Sequence, residues 1–166
     1  MSGGSGKIKF WEYHGSLAGV VCNGPVDVLD EIIVDGESAW KGPLYRGSAT
    51  NYSTITVDSR RVIRFYWGTE TQSVDPLLNP GGNNHGHEHP AYKGVCYIVL
   101  VDFFFGRERT SAPNLEVVVR RKPQQSVFSN GAADLYDEQA SPVATLADFL
   151  THPRYGPGLA SAGFDL

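Results

Sequence analysis

Apolar positions along this chain fall into short runs separated by Gly, Pro, Asn and Asp, the punctuation of an antiparallel β-rich domain. In "KIKFWEY" (7–13), Ile8 and Phe10 share one face of an extended segment and Lys7, Lys9 and Trp11 share the other, which predicts a first strand. "SLAGVVCNGP" (16–25) predicts a second, closed by Asn23-Gly24-Pro25. "VDVLDEIIVDGESAW" (26–40) predicts a hairpin, because Asp35-Gly36 suits the two positive-φ positions of a tight turn. "STITVDSRRVIRFYWG" (53–68) predicts another, turning near Asp58-Ser59. "VCYIVLV" (95–101) has no polar interruption. It predicts a strand covered on both faces, by the domain's own core or by a partner subunit. "NLEVVVRR" (114–121) alternates more cleanly, with Leu115, Val117 and Val119 on one side.

One helix is predicted near the end. Ser141 can cap it, Pro142 suits its first position, and Leu146, Phe149 and Leu150 form an apolar stripe before Pro153 stops it. The expected fold is therefore mainly β, built of antiparallel strands and hairpins with one C-terminal helix, α+β at the margin. Residues 1–6, "MSGGSG", read as a Gly/Ser linker joined to a single domain over 7–166. The abrupt end at "SAGFDL" adds the expectation that the domain is excised from a longer chain.

Composition narrows the classes. At 166 residues, 41% hydrophobic and 19% charged, the chain is long and apolar enough for one folded domain. Its formal charge of -4 argues against nucleic-acid binding, which favours a basic surface. Arg60-Arg61, Arg107/Arg109 and Arg120-Arg121-Lys122 sit at expected strand ends and read as solvated loop charges. No apolar run approaches the ~18–20 residues of a membrane span, and no signal-peptide core is present at the N-terminus. Cys22 and Cys96 lie in apolar runs, where buried thiols are the default and a disulfide between them is possible.

Candidate chemistry centres on "GGNNHGHEHP" (81–90). Residues two apart share a face when extended, so His85, His87 and His89 could converge on one ion, and three imidazoles with an open position suit a catalytic zinc. The surrounding glycines and asparagines give no preset geometry, and no second motif supplies a general base, so no metal or other cofactor is assigned. A metal-binding enzyme using these histidines stands as an alternative. No G-x-S-x-G elbow occurs, and "SGGSGK" fails the phosphate-loop spacing. Asp30-Glu31 and Asp134/Asp137 read as strand-end and loop charges, and no catalytic residue is assigned.

Aromatic residues offer a different chemistry. "FFFG" (103–106) forces alternate rings to opposite faces, and "FYW" (65–67) does the same. Such rings either fill a core or anchor subunit contacts. A carbohydrate-binding module, with Trp40, Trp67 and Tyr92 as sugar platforms, is a further alternative.

Three segments resemble a known family. "IRFYWGTETQSVDPLL" (63–78), "HPAYKGVCYIVLVDFFFGRERTSAPNLEVVVRR" (89–121) and "LADFLTHPRYGPGL" (146–159) are similar, in that order, to segments of phage tail-tip proteins. These are the tip attachment or host-specificity proteins of the protein J type and the related hub proteins of gene transfer agents. The resemblance spans roughly residues 13 to 160, in the hub region. It implies a virion structural domain, a homotrimer in the full-length protein, neighbouring tail proteins as partners, and a place at the tail tip after assembly in the bacterial cytoplasm. It implies no catalytic turnover. Trp67, Tyr92, Phe103, Phe104, Phe105 and Tyr155 fall in the resembling segments and are the expected packing or interface anchors. His89-Pro90-Ala91-Tyr92 matches the family's lead-in to its long strand, whereas His85 and His87 inherit no role.

Overall fold

The computed structural model describes residues 11–47, 51–78, 89–107, 111–121, 135–136, 139–140, 142–154 and 156–159. The chain separates into two compact units, Met1–Val119 and Arg120–Leu166.

The first unit carries β1 (Glu12–Asn23), β2 (Val28–Val34), β3 (Glu37–Tyr45), β4 (Tyr52–Asp58), β5 (Arg61–Trp67) and β6 (Val95–Arg107). It also carries β7 (Leu115–Arg120), which ends at the boundary between the units. One sheet has the order β1-β6-β5-β4, with every neighbouring pair antiparallel. The other has the order β3-β2-β7. The β2–β3 turn is built as its sequence demands. Asp35 and Gly36 both adopt positive φ, 55° and 81°, which matches the twist of the flanking strands.

A single apolar cluster joins the two sheets. Leu29 and Ile32 of β2 meet Ile63, Phe65 and Trp67 of β5 and Cys96, Ile98, Leu100 and Phe103 of β6. Each large side chain buried here contributes roughly 1.5–3 kcal/mol. The opposite face of the four-stranded sheet is also closed. Tyr66, Tyr97 and Val99 are buried there against Tyr52, Leu78 and Tyr92. The unbroken apolar run of β6 thus has the two covers its pattern predicts, both from its own unit.

Three elements differ from their sequence-based bounds, among them β3, which continues past Trp40 to Tyr45. Strand β1, Glu12–Asn23, is continuous where a break at His14-Gly15 is expected, and β6 runs on through the phenylalanines to Arg107. Register shifts between Tyr13 and His14, between Gly15 and Leu17, and between Val20 and Cys22 absorb the irregularity, so β1 pairs along the whole of β6. Residues 7–10 of the expected first strand lie outside the described residues.

In the second unit, β8 (Leu135–Tyr136) pairs with β9 (Gln139–Ala140), and α1 spans Pro142–Thr151. Proline stands at its first position as expected; the capping candidate Ser141 lies outside the described residues. Leu146 and Phe149 of its stripe are exposed, whereas Asp148 is buried and paired with Arg121 at 3.4 Å. The chain then folds back, with the Leu159 amide donating to the Leu150 carbonyl at 2.8 Å. A Cβ added at Gly156 would overlap the carbonyl oxygen of Phe149, so this turn requires glycine.

Candidate interaction surface

The segment after β5 carries polar residues into the interior. Asp75 is wholly buried, and its carboxylate accepts hydrogen bonds from Arg64 at 2.9 and 3.2 Å, from the Tyr66 hydroxyl at 2.9 Å, and from the Leu77 amide at 2.7 Å. A buried carboxylate is tolerated only with such partners. Burial, reinforced by the Asp75 hydrogen bond, pushes the Tyr66 hydroxyl far above the usual phenol range. Burial, with the Asp75 charge nearby, pushes Tyr97 up to about 12.

Gln72 is nearly as buried and uses its amide as a clasp. Its Oε1 accepts from the Gly68 amide at 3.0 Å, while Nε2 donates to the carbonyls of Ala91, Tyr92 and Val95. The lead-in to β6 is thereby fixed to the segment leaving β5. Tyr92 takes a positive φ of 49° at this junction, and Gly68 and Gly94 take 80° and 70°. Across the sheet, Tyr52, Tyr66 and Tyr97 are register partners on three adjacent strands. The Tyr66 and Tyr97 rings stack at 4.2 Å, and Tyr92 meets Tyr97 edge-on at 5.6 Å.

The triple phenylalanine divides as strand alternation requires. Phe103 is fully buried, Phe105 packs against the same inner cluster, and Phe104 turns to the other side. Phe105 lies over Gly15, where a Cβ would come within 2.6 Å of its ring. Phe104 is half-buried between the imidazole of His14 at 5.3 Å and the guanidinium of Arg60 at 4.9 Å. Arg60 and Arg107 both reach Glu12 at 3.2 Å, and their hydrogen bonds hold its carboxyl below the usual range. Arg61 does the same for Asp58 at 2.7 Å. Arg60, Arg61 and Arg107, expected to be solvated loop charges, keep part of their side chains in solvent and are also tied into ion pairs. Beside this cluster lies a cavity of about 390 Å³, lined by Asp35, Asp58, Arg60, Phe104, Phe105 and Pro113 among others.

Trp11 and Tyr13 extend this end of the sheet into solvent, at 71% and 44% exposure. Tyr13 stands opposite Gly106 and His14 opposite Phe104 in the β1–β6 register, so the exposed rings and the half-buried Phe104 belong to one end of the sheet. Aromatic rings and arginine, both present here, are residue types enriched at protein–protein contacts.

The expected anchors therefore separate. Trp67 and Phe103 are interior packing residues, with Trp67 Nε1 donating to Ser53 Oγ at 3.0 Å. A wholly buried Trp67 removes one member of the proposed sugar platform. Tyr92 and Phe105 are partly buried supports, Phe104 reaches the surface, and Tyr155 lies outside the described residues. His85 and His87 also lie outside them, while His89 is exposed with Nδ1 3.4 Å from the Tyr92 hydroxyl. Sequence reasoning missed Gln72 and Asp75 as organisers and Tyr13 as a surface ring, whereas it placed Trp11 on the face shared with Lys7 and Lys9. The signal for the first two was their place in "TQSVDP", polar residues directly following a strand that is buried on both faces.

Searches against known proteins add no identification: no family model matches the chain, and no curated protein matches its sequence.

Proposed function

We propose that this chain is a structural domain of a phage or prophage tail-tip hub protein. In this reading it assembles the distal end of the tail by self-association as a trimer and connects it to host-recognition parts, with neighbouring tail proteins as its other partners. The observation that carries the reading is the aromatic end of β1 and β6, where Trp11 and Tyr13 are exposed beside Phe104, His14 and Arg60. Surfaces of this composition gain from burial against a partner. The resembling segments support it in a second way. Gln72 and Asp75 of "WGTETQSVDP" and Tyr92 of "HPAY" serve to hold chain segments together, the work of a scaffold.

Native mass spectrometry of the chain tests this, because it reports oligomeric mass and bound metal together. The reading expects a metal-free trimer, and it expects Phe104→Asp to lose the trimer or the folded yield, since it removes the ring packed between His14 and Arg60 and adds a carboxylate that a closed contact must desolvate. A folded monomer carrying one metal ion would overturn it in favour of the histidine site.

A further inference from the structure

Cys22 and Cys96 stand directly opposite one another in the antiparallel pairing of β1 and β6. Side chains so placed leave the sheet on the same face, with Cβ atoms about 4.5–5.5 Å apart. Both belong to the inner core, Cys96 wholly buried and Cys22 partly buried against the same cluster. Both are reduced in this structure. A disulfide asks for Cα atoms about 4.4–6.8 Å apart and Cβ atoms about 3.5–4.5 Å apart. Opposed antiparallel residues already meet the first requirement and lie within about 1 Å of the second. The register shift between Val20 and Cys22 falls immediately before the pair, where a bulged strand has freedom to twist.

We propose that Cys22 and Cys96 are a thiol–disulfide pair that clamps edge strand β1 to β6 when the protein meets the disulfide of a small thiol, such as oxidised glutathione. Cys22, the more accessible, attacks one sulfur of that reagent as its thiolate, and the first small thiolate leaves. Cys96 then gives up its proton and attacks Cys22 Sγ in the mixed disulfide, expelling the second small thiolate. One protein disulfide forms, the protein loses two electrons, and the reagent gains them as two small thiols that carry the two protons. The Cys96 thiol donates a hydrogen bond to Cys22, which together with burial keeps Cys96 protonated well above the ordinary thiol range. In the mixed disulfide burial still opposes ionisation of Cys96, so the second step quickens as pH rises. The clamp acts at a sheet edge, where opening begins most easily. This inference rests on strand register alone and is independent of the assembly role.

The test is to incubate the chain with oxidised glutathione, unfold it, alkylate it and weigh it intact. The expected product has lost two hydrogens, takes up no alkylating agent, and returns to two labelled thiols after treatment with a dithiol. Its thermal midpoint rises by roughly 5–15 °C over the reduced form. Cys96→Ser, or Cys96→Ala if serine is not tolerated at the buried position, should stop at a glutathione adduct on Cys22. Cys22→Ser should remain unmodified while folded. A lasting adduct on Cys22 of the parent chain, with Cys96 still open to alkylation after unfolding, would overturn the proposal. Two intact thiols under conditions that oxidise the unfolded chain would overturn it equally.

Discussion

The Tyr66 hydroxyl donates to the Asp75 carboxylate at 2.9 Å inside a face of the sheet that is closed to solvent. Arg64 supplies the opposing charge from the same strand as Tyr66, so the segment after β5 is bound back onto the strand it has just left. Asp75→Ala leaves both partners without their acceptor and is expected to cost about 3–5 kcal/mol, the range for breaking one side of a buried pair. Tyr66→Phe removes one hydrogen bond and keeps the ring stacking, so about 1–2 kcal/mol is expected. Denaturant unfolding of the two variants checks both the values and their order.

Gln72 is expected to be nearly as sensitive. Gln72→Leu keeps the volume but strands the buried Gly68 amide and withdraws a donor from the carbonyls that lead into β6. A loss of about 2–4 kcal/mol follows from the cost of unpaired buried groups. Amide hydrogen exchange at residues 91–95 should quicken more than exchange in the centre of β6. Unchanged protection of that segment would show that the clasp is dispensable.

Two pH limits follow from opposite shifts. Glu12 and Asp58 have lowered carboxyl pKa values in the folded chain. Their contribution is therefore present above the ordinary carboxylate range of about 4 and is lost as pH falls through the folded values. Tyr66 and Tyr97 are raised, so their contribution is present below about 10 and is lost as pH rises toward the folded values, about 12 for Tyr97. Alkaline unfolding should therefore coincide with the appearance of tyrosinate absorbance, and Tyr66→Phe should move it to higher pH relative to that variant's own neutral stability. The acid limb should respond to Glu12→Gln and to salt, because that ion pair is exposed.

Local chemistry was legible in the sequence where one or two residues dictate a conformation. Asp35-Gly36 specifies its turn, Pro142 opens its helix, and the apolar run from Val95 specifies a strand with two covers. Relationships set by register were not legible. Tyr66 and Tyr97 are thirty-one positions apart, and only strand pairing stacks them. For Cys22 and Cys96 the sequence allowed a pairing, and only strand register sets them opposite one another. Gln72 and Asp75 gained no role from the sequence, because periodicity cannot say that a loop folds onto a sheet face. The continuity of β1 was hidden because the sequence pattern divides at His14-Gly15. In the folded chain Gly15 is instead the space that the Phe105 ring occupies.

The measurement closest to the central claim is oxidative footprinting of the tryptophans as chain concentration is raised. Trp67 is buried within the unit and serves as the internal reference, with Trp40, half-buried on β3, as a second comparison. If the end formed by Trp11, Tyr13 and Phe104 is the assembly surface, Trp11 should lose reactivity as the trimer forms while Trp40 and Trp67 keep theirs. An assembled chain whose Trp11 is oxidised as fast as in dilute solution would contradict the account.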